Sequence, residues 1–155
     1  MDKGVTIYTI GHGSRGKEVF LNLLRTHGIQ ILADVRRWPT SKTEHFKREQ
    51  LKEWLPGAGI EYVWLGDSLG GYRKGGYRAY TETEGFKDGL RALMELTRRG
   101  RVCIMCLEVG PSGCHRRFIA EKLVSSGYEV VHIISEKKWV KIGVATQSSL
   151  NDAEI

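Results

Sequence analysis

The sequence predicts an α/β domain: a single three-layer domain in which a mostly parallel, open sheet of about five strands is flanked by helices. Short apolar, β-branched runs alternate with segments of helical period, which is the pattern of successive βαβ units. The chain has 155 residues, of which 41% are hydrophobic and 27% are charged, and this suits one domain with its own core. Right-handed crossovers between parallel strands should place helices on both faces of the sheet.

The chain opens with a predicted strand, helix and strand. Val5 to Ile10 is a continuous apolar and β-branched run, which favours a strand. Lys17 to His27 places four apolar residues on one helical face, and Gly28 follows as a typical helix stop. Ile29 to Val35 is largely apolar until Asp34 and predicts the second strand.

A short helix and a third strand come next. Lys47 to Leu55 presents three apolar residues at helical spacing, and Pro56-Gly57 is predicted to stop this helix. Glu61 to Leu65 has strand character. The segment from Gly66 to Tyr80 is rich in glycine and tyrosine, so we predict a loop there.

The last four elements repeat the alternation. Thr83 to Arg99 has apolar residues at i, i+4, i+7 and i+8 and predicts the longest helix, which Gly100 ends. Arg101 to Leu107 is the fourth predicted strand, Cys114 to Ser126 the fourth helix, and Glu129 to Ile134 the fifth strand.

We predict that the α/β domain occupies residues 1–136. Residues 137–155 have weak periodicity and are expected to form an edge segment or a partly disordered tail. No apolar run approaches the roughly 18 residues that span a bilayer. The first residues lack the apolar core of a signal peptide. We therefore expect a cytoplasmic protein that makes no contact with a membrane.

Polar and charged residues gather where the predicted strands end. Ligands of open parallel sheets bind beyond the carboxyl ends of the strands, where loops meet helix N-termini. The residues at these ends are His12, Ser14 and Arg15; Asp34, Arg36 and Arg37; Asp67, Gly70, Gly71, Arg73, Arg78 and Tyr80; and Glu108, Cys114, His115, Arg116 and Arg117. We expect them to share one rim of the sheet.

Seven of these residues are arginines, and this clustering predicts an anionic ligand. A guanidinium group presents a fixed fork of donors that matches phosphate or carboxylate. The net charge of +6 and the isoelectric point near 9.3 also favour phosphate-bearing partners. The alternative is that arginine is simply frequent in exposed loops.

Four separated motifs resemble those of a known family. They are Thr9-Ile-Gly-His12; Asp34-Val35-Arg36 followed by Pro39 and Ser41; Leu69-Gly70-Gly71 with Arg73; and Cys106-Leu-Glu108 leading to Cys114-His115-Arg116. The chain looks like a member of domain-of-unknown-function family 488 over about residues 5 to 134. The family usually has Ser-Asn where this chain has Gly13-Ser14, whereas Arg15 keeps its place. The family name implies no reaction, so the resemblance marks site residues without assigning their chemistry.

Two carboxylates and a histidine at the rim are candidate catalytic groups. Asp34 and Glu108 could orient a guanidinium, act as a general base or attack an electrophilic carbon. They could equally form salt bridges that position Arg36 and Arg116. His12 lies between two glycines, where the backbone can approach a ligand, and it is either an acid–base residue or a structural histidine.

The cysteines allow several hypotheses. Cys114 opens a helix among cations, which would favour a reactive thiolate, although a small buried cysteine would also fit there. Cys103 and Cys106 form a CxxC pattern on a strand, so their side chains should point to opposite faces and cannot act together. Cys106, Cys114, His115 and His12 lack the paired spacing of structural zinc sites, and we expect neither a metal nor a cofactor.

The glycine-rich loop interleaves aromatic and cationic side chains. Tyr72, Tyr77 and Tyr80 alternate there with Arg73 and Arg78. Such a segment suits stacking on a base together with phosphate contacts, and its length and glycines also suit a mobile lid. The alternative is a surface loop whose tyrosines pack on neighbouring elements.

Taken together, these observations favour a small enzyme, a hydrolase or transferase acting on a phosphorylated or nucleotide-like substrate. The predicted catalytic candidates are Glu108, Asp34, His12 and Cys114. The predicted ligand-binding residues are Arg15, Arg36, Gly70, Gly71, Arg73, Arg78, Tyr80, His115 and Arg116. The alternative is a non-catalytic nucleic-acid-binding module that uses the same basic rim. Carboxylates inside a positive patch favour the enzyme, because a simple phosphate binder gains little from them.

Overall fold

The computed structural model describes residues 5–110 and 115–142, which form six strands, six α-helices and one turn of 3₁₀ helix. The strands are β1 (Thr6–Gly11), β2 (Ile31–Asp34), β3 (Glu61–Trp64), β4 (Val102–Cys106), β5 (Glu129–Ser135) and β6 (Lys138–Ile142). The helices are α1 (Lys17–Thr26), α2 (Arg48–Gly57), α3 (Gly66–Leu69), α4 (Tyr77–Tyr80), α5 (Glu84–Leu96) and α6 (Arg116–Ser125). The 3₁₀ turn is Glu44–Phe46.

One sheet contains all six strands in the order β3-β2-β4-β1-β5-β6. The first five strands are parallel, and β6 pairs antiparallel with β5 at one edge. The register places Gly11 beside Cys106, and Asp34 beside both Met105 and Trp64. The carboxyl ends of β1, β2, β3 and β4 therefore lie side by side.

Helices cover both faces of the sheet, and each face has its own apolar cluster. Helices α5 and α6 bury Phe86, Leu93 and Ile119 on one face, while α1 and α2 bury Phe20 and Leu51 on the other. Strands β2 and β4 are buried at every position, because both of their faces are covered and both have strand neighbours on each side.

The predicted fold class is confirmed, and three details differ from the sequence prediction. A sixth strand, β6, extends the sheet beyond the five that were expected. The loop from Gly66 to Tyr80 contains the two short helices α3 and α4. Helix α2 continues through Pro56 to Gly57 instead of stopping before them. Pro56 is the last residue but one of this helix, so its missing N–H costs a single i to i−4 bond and leaves the preceding turns intact.

None of the helices in the described part of the chain has both the length and the apolar character that crossing a membrane requires.

Candidate functional site

The topology opens a crevice around the end of β4. Strand β4 lies between β1 and β2, and the helix that follows it packs on the face opposite to the helices that follow β1 and β2. The chain therefore leaves neighbouring strands toward opposite faces, which is the arrangement at which open α/β sheets bind ligands. A cavity of about 1050 Å³ lies at this place, lined by the segments after β1, β2, β3 and β4 and by the start of α6.

The loops after β1 and β4 are in direct backbone contact. The N–H of His12 donates to the carbonyl of Cys106 at 2.8 Å, and the N–H of Gly13 donates to the carbonyl of Leu107 at 2.8 Å. A Cβ on Gly11 would lie 1.6 Å from the carbonyl oxygen of Glu108, so no other residue fits at this position. These contacts fix where Glu108 enters the cavity.

A buried ion pair joins the end of β2 to the loop that follows it. Asp34 is fully buried and accepts bonds from Nε and Nη2 of Arg36 at 2.8 and 2.7 Å. The Tyr62 hydroxyl donates to the same carboxylate at 2.6 Å, and burial, followed by the Asp34 charge, raises the pKa of Tyr62. Nη1 of Arg36 then donates to the carbonyl of Thr40 at 3.0 Å. Arg36 therefore links the sheet to the segment that lines the cavity.

His12 is fully buried beside this pair. Its Nδ1 is 2.9 Å from the carbonyl of Gly13 and therefore carries the proton, while Nε2 faces Nη1 of Arg36 at 3.4 Å. The ring stacks on Phe46 with 4.8 Å between centroids. Burial is the main cause that lowers the pKa of His12 to about 4. The ring is thus neutral and enclosed near pH 7.

Arg116 is also fully buried, under the loop that follows β4. Its Nη2 donates to the carbonyls of Glu108 and Val109 at 2.7 and 2.9 Å, and its Nη1 donates to the Thr9 hydroxyl at 3.2 Å. That hydroxyl lies 2.6 Å from Nδ1 of His132 and donates to it. Burial lowers the pKa of Arg116 to about 10 and that of His132 to about 4. The guanidinium holds the backbone that presents Glu108.

Two further arginines of the rim also bind backbone carbonyls. Arg15 donates to Gly11 and Ile134 at 2.8 and 2.6 Å, which ties the ends of β1 and β5 together. Arg73 donates to the carbonyls of Gly70 and Asp67 at 2.8 and 2.6 Å and thereby closes the C-terminal end of α3. Its guanidinium also lies 4.1 Å from the ring centroid of Tyr80.

A different set of side chains faces the cavity. Besides the buried Arg36, its cations are Arg37, Lys42 and Arg117, and the exposed Glu108 is the one carboxylate among the described lining residues. Neither Lys42 nor Glu108 forms an ion pair within residues 5–110 and 115–142. The aromatic lining residues are Trp38, Tyr72, Tyr77 and Phe118. The cavity therefore combines positive charge, aromatic surface and one acid.

His115 and Gly71 meet on the cavity wall. Nε2 of His115 is 3.0 Å from the carbonyl of Val35 and donates to it, and burial lowers the pKa of the ring. A Cβ on Gly71 would lie 3.2 Å from Nδ1 of the same ring. Gly70 packs even more closely, because its Cβ would lie 2.5 Å from the Cα of Arg37. Gly70 therefore lets the segment after α3 approach the segment after β2, and Gly71 lets it approach the start of α6.

Apart from Arg15, Gly70 and Arg73, whose contacts are given above, the predicted site residues fall into three groups. His12, Asp34, Arg36, Gly71, Glu108, His115 and Arg116 come together around the end of β4. Arg78 lies farther out, 3.7 Å from Glu121, and Tyr80 donates to the carbonyl of Ser68 at 2.8 Å. Cys114 lies outside the described residues.

Sequence reasoning missed part of the lining, namely Trp38, Lys42 and Phe118. Trp38 and Lys42 come directly after the predicted end of β2, so their place in the sequence was a signal that could have found them. Phe118 is one turn into α6 and carries no comparable signal.

Two further expectations concern the cysteines. Cys103 and Cys106 belong to the apolar clusters on opposite faces of the sheet, as the strand geometry predicted. Burial raises the pKa of the Cys103 thiol, so this group is not a nucleophile near neutral pH. Among the described residues, no group of three or more His, Cys, Asp and Glu side chains is placed to hold a metal ion.

The fold and the site together define a doubly wound α/β protein with a cationic, aromatic cavity at the carboxyl ends of its parallel strands. The chain belongs to the family described as Domain of unknown function DUF488, which matches residues 16–123. The matched range contains the second, third and fourth sequence motifs, whereas the first motif, Thr9 to His12, lies before it. No curated protein and no solved structure matches the sequence.

The two buried histidines predict a dependence of stability on pH. Their native pKa values of about 4 lie below the usual 6.5, so between these values the unfolded chain binds protons that the folded chain does not. Stability is therefore complete above pH 6.5 and should fall by on the order of 3 kcal/mol per histidine as the pH drops to 4. Urea unfolding across this range measures the effect, and His132→Asn should remove the part of it that His132 contributes. Stability that is constant from pH 6.5 to 4.5 would contradict the assignment.

Proposed function

We propose that the protein is a small enzyme, a hydrolase or transferase, that binds a phosphorylated or nucleotide-like ligand in the cavity at the end of β4. The observation that carries this proposal is one cavity that contains three cations besides the buried Arg36, and a single exposed carboxylate with no ion-pair partner among the described residues. The positive charge of the cavity favours an anionic ligand, and an unpaired carboxylate among these cations is a candidate catalytic group.

In this proposal the anion is held by Arg117, Lys42 and Arg37. Arg117 and Lys42 are exposed cavity residues. Within the described residues, Arg37 donates from Nη1 to the carbonyls of Tyr72 at 2.6 Å and Gly71 at 3.5 Å, and its Nε and Nη2 are available to a ligand. The N-terminal end of α6 also lies at the cavity, because His115 and Phe118 both line it. Its aligned peptide dipoles add favourable potential for a negative group.

Glu108 is the proposed general base. Its backbone is held by Arg116 and packed against Gly11, while its side chain is exposed in the cavity. It would take the proton from a water or acceptor hydroxyl while that oxygen attacks the electrophilic centre of the ligand and the leaving group departs. Asp34, His12, Arg36 and Arg116 are buried, and their proposed role is to position the loops that carry the contacting groups.

Binding of inorganic pyrophosphate tests the anion site. Arg117→Gln and Lys42→Gln should each raise the Kd measured by calorimetry about tenfold or more, because each removes a charged donor. Arg25→Gln is the matched control, because it makes the same charge change in the last turn of α1. That end of α1 lies near the amino ends of the strands, away from the cavity. A Kd that changes equally in Arg117→Gln and Arg25→Gln would contradict the proposed site.

Replacement of Glu108 separates binding from chemistry. Glu108→Gln should bind pyrophosphate at least as tightly as the wild type, because a negative charge leaves the cavity. In a ³¹P NMR screen of nucleoside phosphates, the compound that the wild type converts should be converted about 10²- to 10⁴-fold more slowly by Glu108→Gln. Failure of the wild type to convert any compound of the screen would reject the enzyme and leave a binding protein.

The nucleic-acid-binding alternative has less support from the contacts of the basic rim. Arg15, Arg36, Arg73 and Arg116 direct their donors to backbone carbonyls or to Asp34, which leaves few of the predicted arginines for a phosphate backbone. We therefore expect no salt-dependent binding to single- or double-stranded oligonucleotides in fluorescence anisotropy. Affinity that falls with salt at a log–log slope equivalent to several phosphate contacts, roughly −0.9 per contact on duplex DNA, would favour the alternative.

A further inference from the structure

Two large aromatic side chains stand unusually exposed on the cavity wall. The side chain of Trp38 is 59% exposed and that of Tyr72 is 83% exposed. Both line the cavity, and their ring centroids lie 5.5 Å apart. They come from different segments, since Trp38 follows β2 and Tyr72 follows α3. Exposed apolar rings that meet in a cavity are a common feature of binding sites.

The backbone at Tyr72 is strained. Its φ is 60°, in the left-handed region. Among the described residues, Tyr72 is the one non-glycine residue with a positive φ. A bulky side chain there is unfavourable, and such strain persists where surrounding contacts enforce it. Gly75 and Gly76 also have positive φ, so the same segment does contain glycine at positions that need it. At residue 72 the chain instead carries an aromatic ring.

Arg37 holds both aromatic residues. Its Nη1 donates to the carbonyl of Tyr72 at 2.6 Å, and its guanidinium lies 5.2 Å from the ring centroid of Trp38. One side chain therefore fixes the strained backbone and restrains the neighbouring indole. The result is a preformed aromatic pair next to the cations of the cavity.

We propose that Trp38 and Tyr72 form a stacking platform for a nucleobase, so that the ligand is a nucleoside phosphate. This inference rests on the proposed function and adds a nucleobase to the anionic ligand that is proposed there. The rings are too close to hold a base between them, because two van der Waals spacings need about 7 Å. The ring planes are also inclined at 43°, so the base stacks on the cavity side of Trp38 and meets the Tyr72 ring at an angle.

The size and composition of the cavity support this ligand class. A volume of about 1050 Å³ far exceeds what a free phosphate needs and is at the upper end of typical ligand sites. Tyr77 and Phe118 extend the aromatic surface, while Arg117 and Lys42 supply charge. A ligand with a planar aromatic part and an anionic part matches both components.

Calorimetric titration with ADP, CDP and pyrophosphate tests the platform. The wild type should bind both nucleotides at least tenfold more tightly than pyrophosphate. Trp38→Ala should weaken binding of the nucleotides about 10- to 100-fold and leave pyrophosphate binding unchanged, because stacking is lost and the anion contacts remain. Trp38→Phe should retain most of the nucleotide affinity. Trp139→Ala, which removes a 44% exposed tryptophan from β6, is the matched control and should have no effect.

Tyr72→Gly provides a readout that a purely structural role would not produce. Glycine adopts the positive φ without strain, so this variant should have a Tm equal to or above that of the wild type. It should nevertheless bind ADP about 10-fold more weakly, and Tyr72→Phe should bind it normally. Equal affinity of wild type and Tyr72→Gly for ADP would overturn the platform.

The outcomes distinguish the two proposals. The platform would be rejected, and the anion site kept, if the wild type bound pyrophosphate and the nucleotides with the same affinity and Trp38→Ala did not change that affinity. No binding of either probe to the wild type would reject the proposed function and the platform with it.

Discussion

Replacing Asp34 with asparagine is expected to lower the free energy of unfolding by about 3 to 5 kcal/mol, because it removes the charge that compensates a buried guanidinium. The Arg36 side chain is 6% exposed and Asp34 is fully buried, so water cannot replace the lost partner. The amide also places N–H groups against the Arg36 and Tyr62 donors. Urea denaturation measures the change.

The matched control for this experiment is Glu61→Gln. Glu61 also forms two bonds with one arginine, Arg99, but both side chains are about half exposed. A pair in contact with water contributes about 0 to 1 kcal/mol, so the control should be almost neutral. The double variant Asp34→Leu/Arg36→Met should regain much of the stability lost by Asp34→Asn, because no unpaired charge remains. Similar losses in Asp34→Asn and Glu61→Gln would contradict the buried pair.

Gly11→Ala should cost about 3 kcal/mol or more, since its Cβ would lie 1.6 Å from the carbonyl oxygen of Glu108 and 2.6 Å from the Cα of Val109. Both atoms belong to the backbone and cannot rotate away. Relief requires the ends of β1 and β4 to separate, which would break the bond from His12 to the Cys106 carbonyl. We therefore expect a lower urea midpoint and, in the same variant, weaker binding of pyrophosphate.

Gly57→Ala is the control for Gly11→Ala. Gly57 ends α2, and a Cβ added to it would have no neighbouring atom within 4 Å. Its φ is not positive either, so alanine should be neutral or slightly stabilising there. If Gly11→Ala unfolds at the same urea concentration as Gly57→Ala, the close contact between the two strand ends is wrong.

Hydrophobic pattern was sufficient to predict the architecture. The wholly buried strands Ile31–Asp34 and Val102–Cys106 lie in largely apolar runs of the sequence, and the helices between strands have clear periodicity. The edge strand β6 was harder to predict because its exposed residues, such as Lys138 and Lys141, dilute the apolar signal. Strand order is set by long-range packing, which local pattern does not contain.

The cavity lies at the strand ends where the sequence places polar residues, but only part of its lining follows from the sequence. Sequence alone could locate polar residues at strand ends, because parallel topology brings those ends together. It could not distinguish an arginine that binds a ligand from one that binds the protein's own carbonyls, since both use the same donors. Arg116 illustrates this limit: its neighbours in sequence are exposed or half-buried, whereas its own side chain is fully buried under the Glu108 backbone.

The most direct test of the central claim is the position of a heavy phosphate analogue in a crystal of the wild-type protein. Crystals soaked in sodium tungstate should give an anomalous peak inside the cavity, within hydrogen-bond distance of Arg117 or Lys42. The peak should disappear from crystals of the Arg117→Gln/Lys42→Gln variant. Tungstate peaks that occur only outside the cavity, with none beside Arg117 or Lys42, would contradict the account.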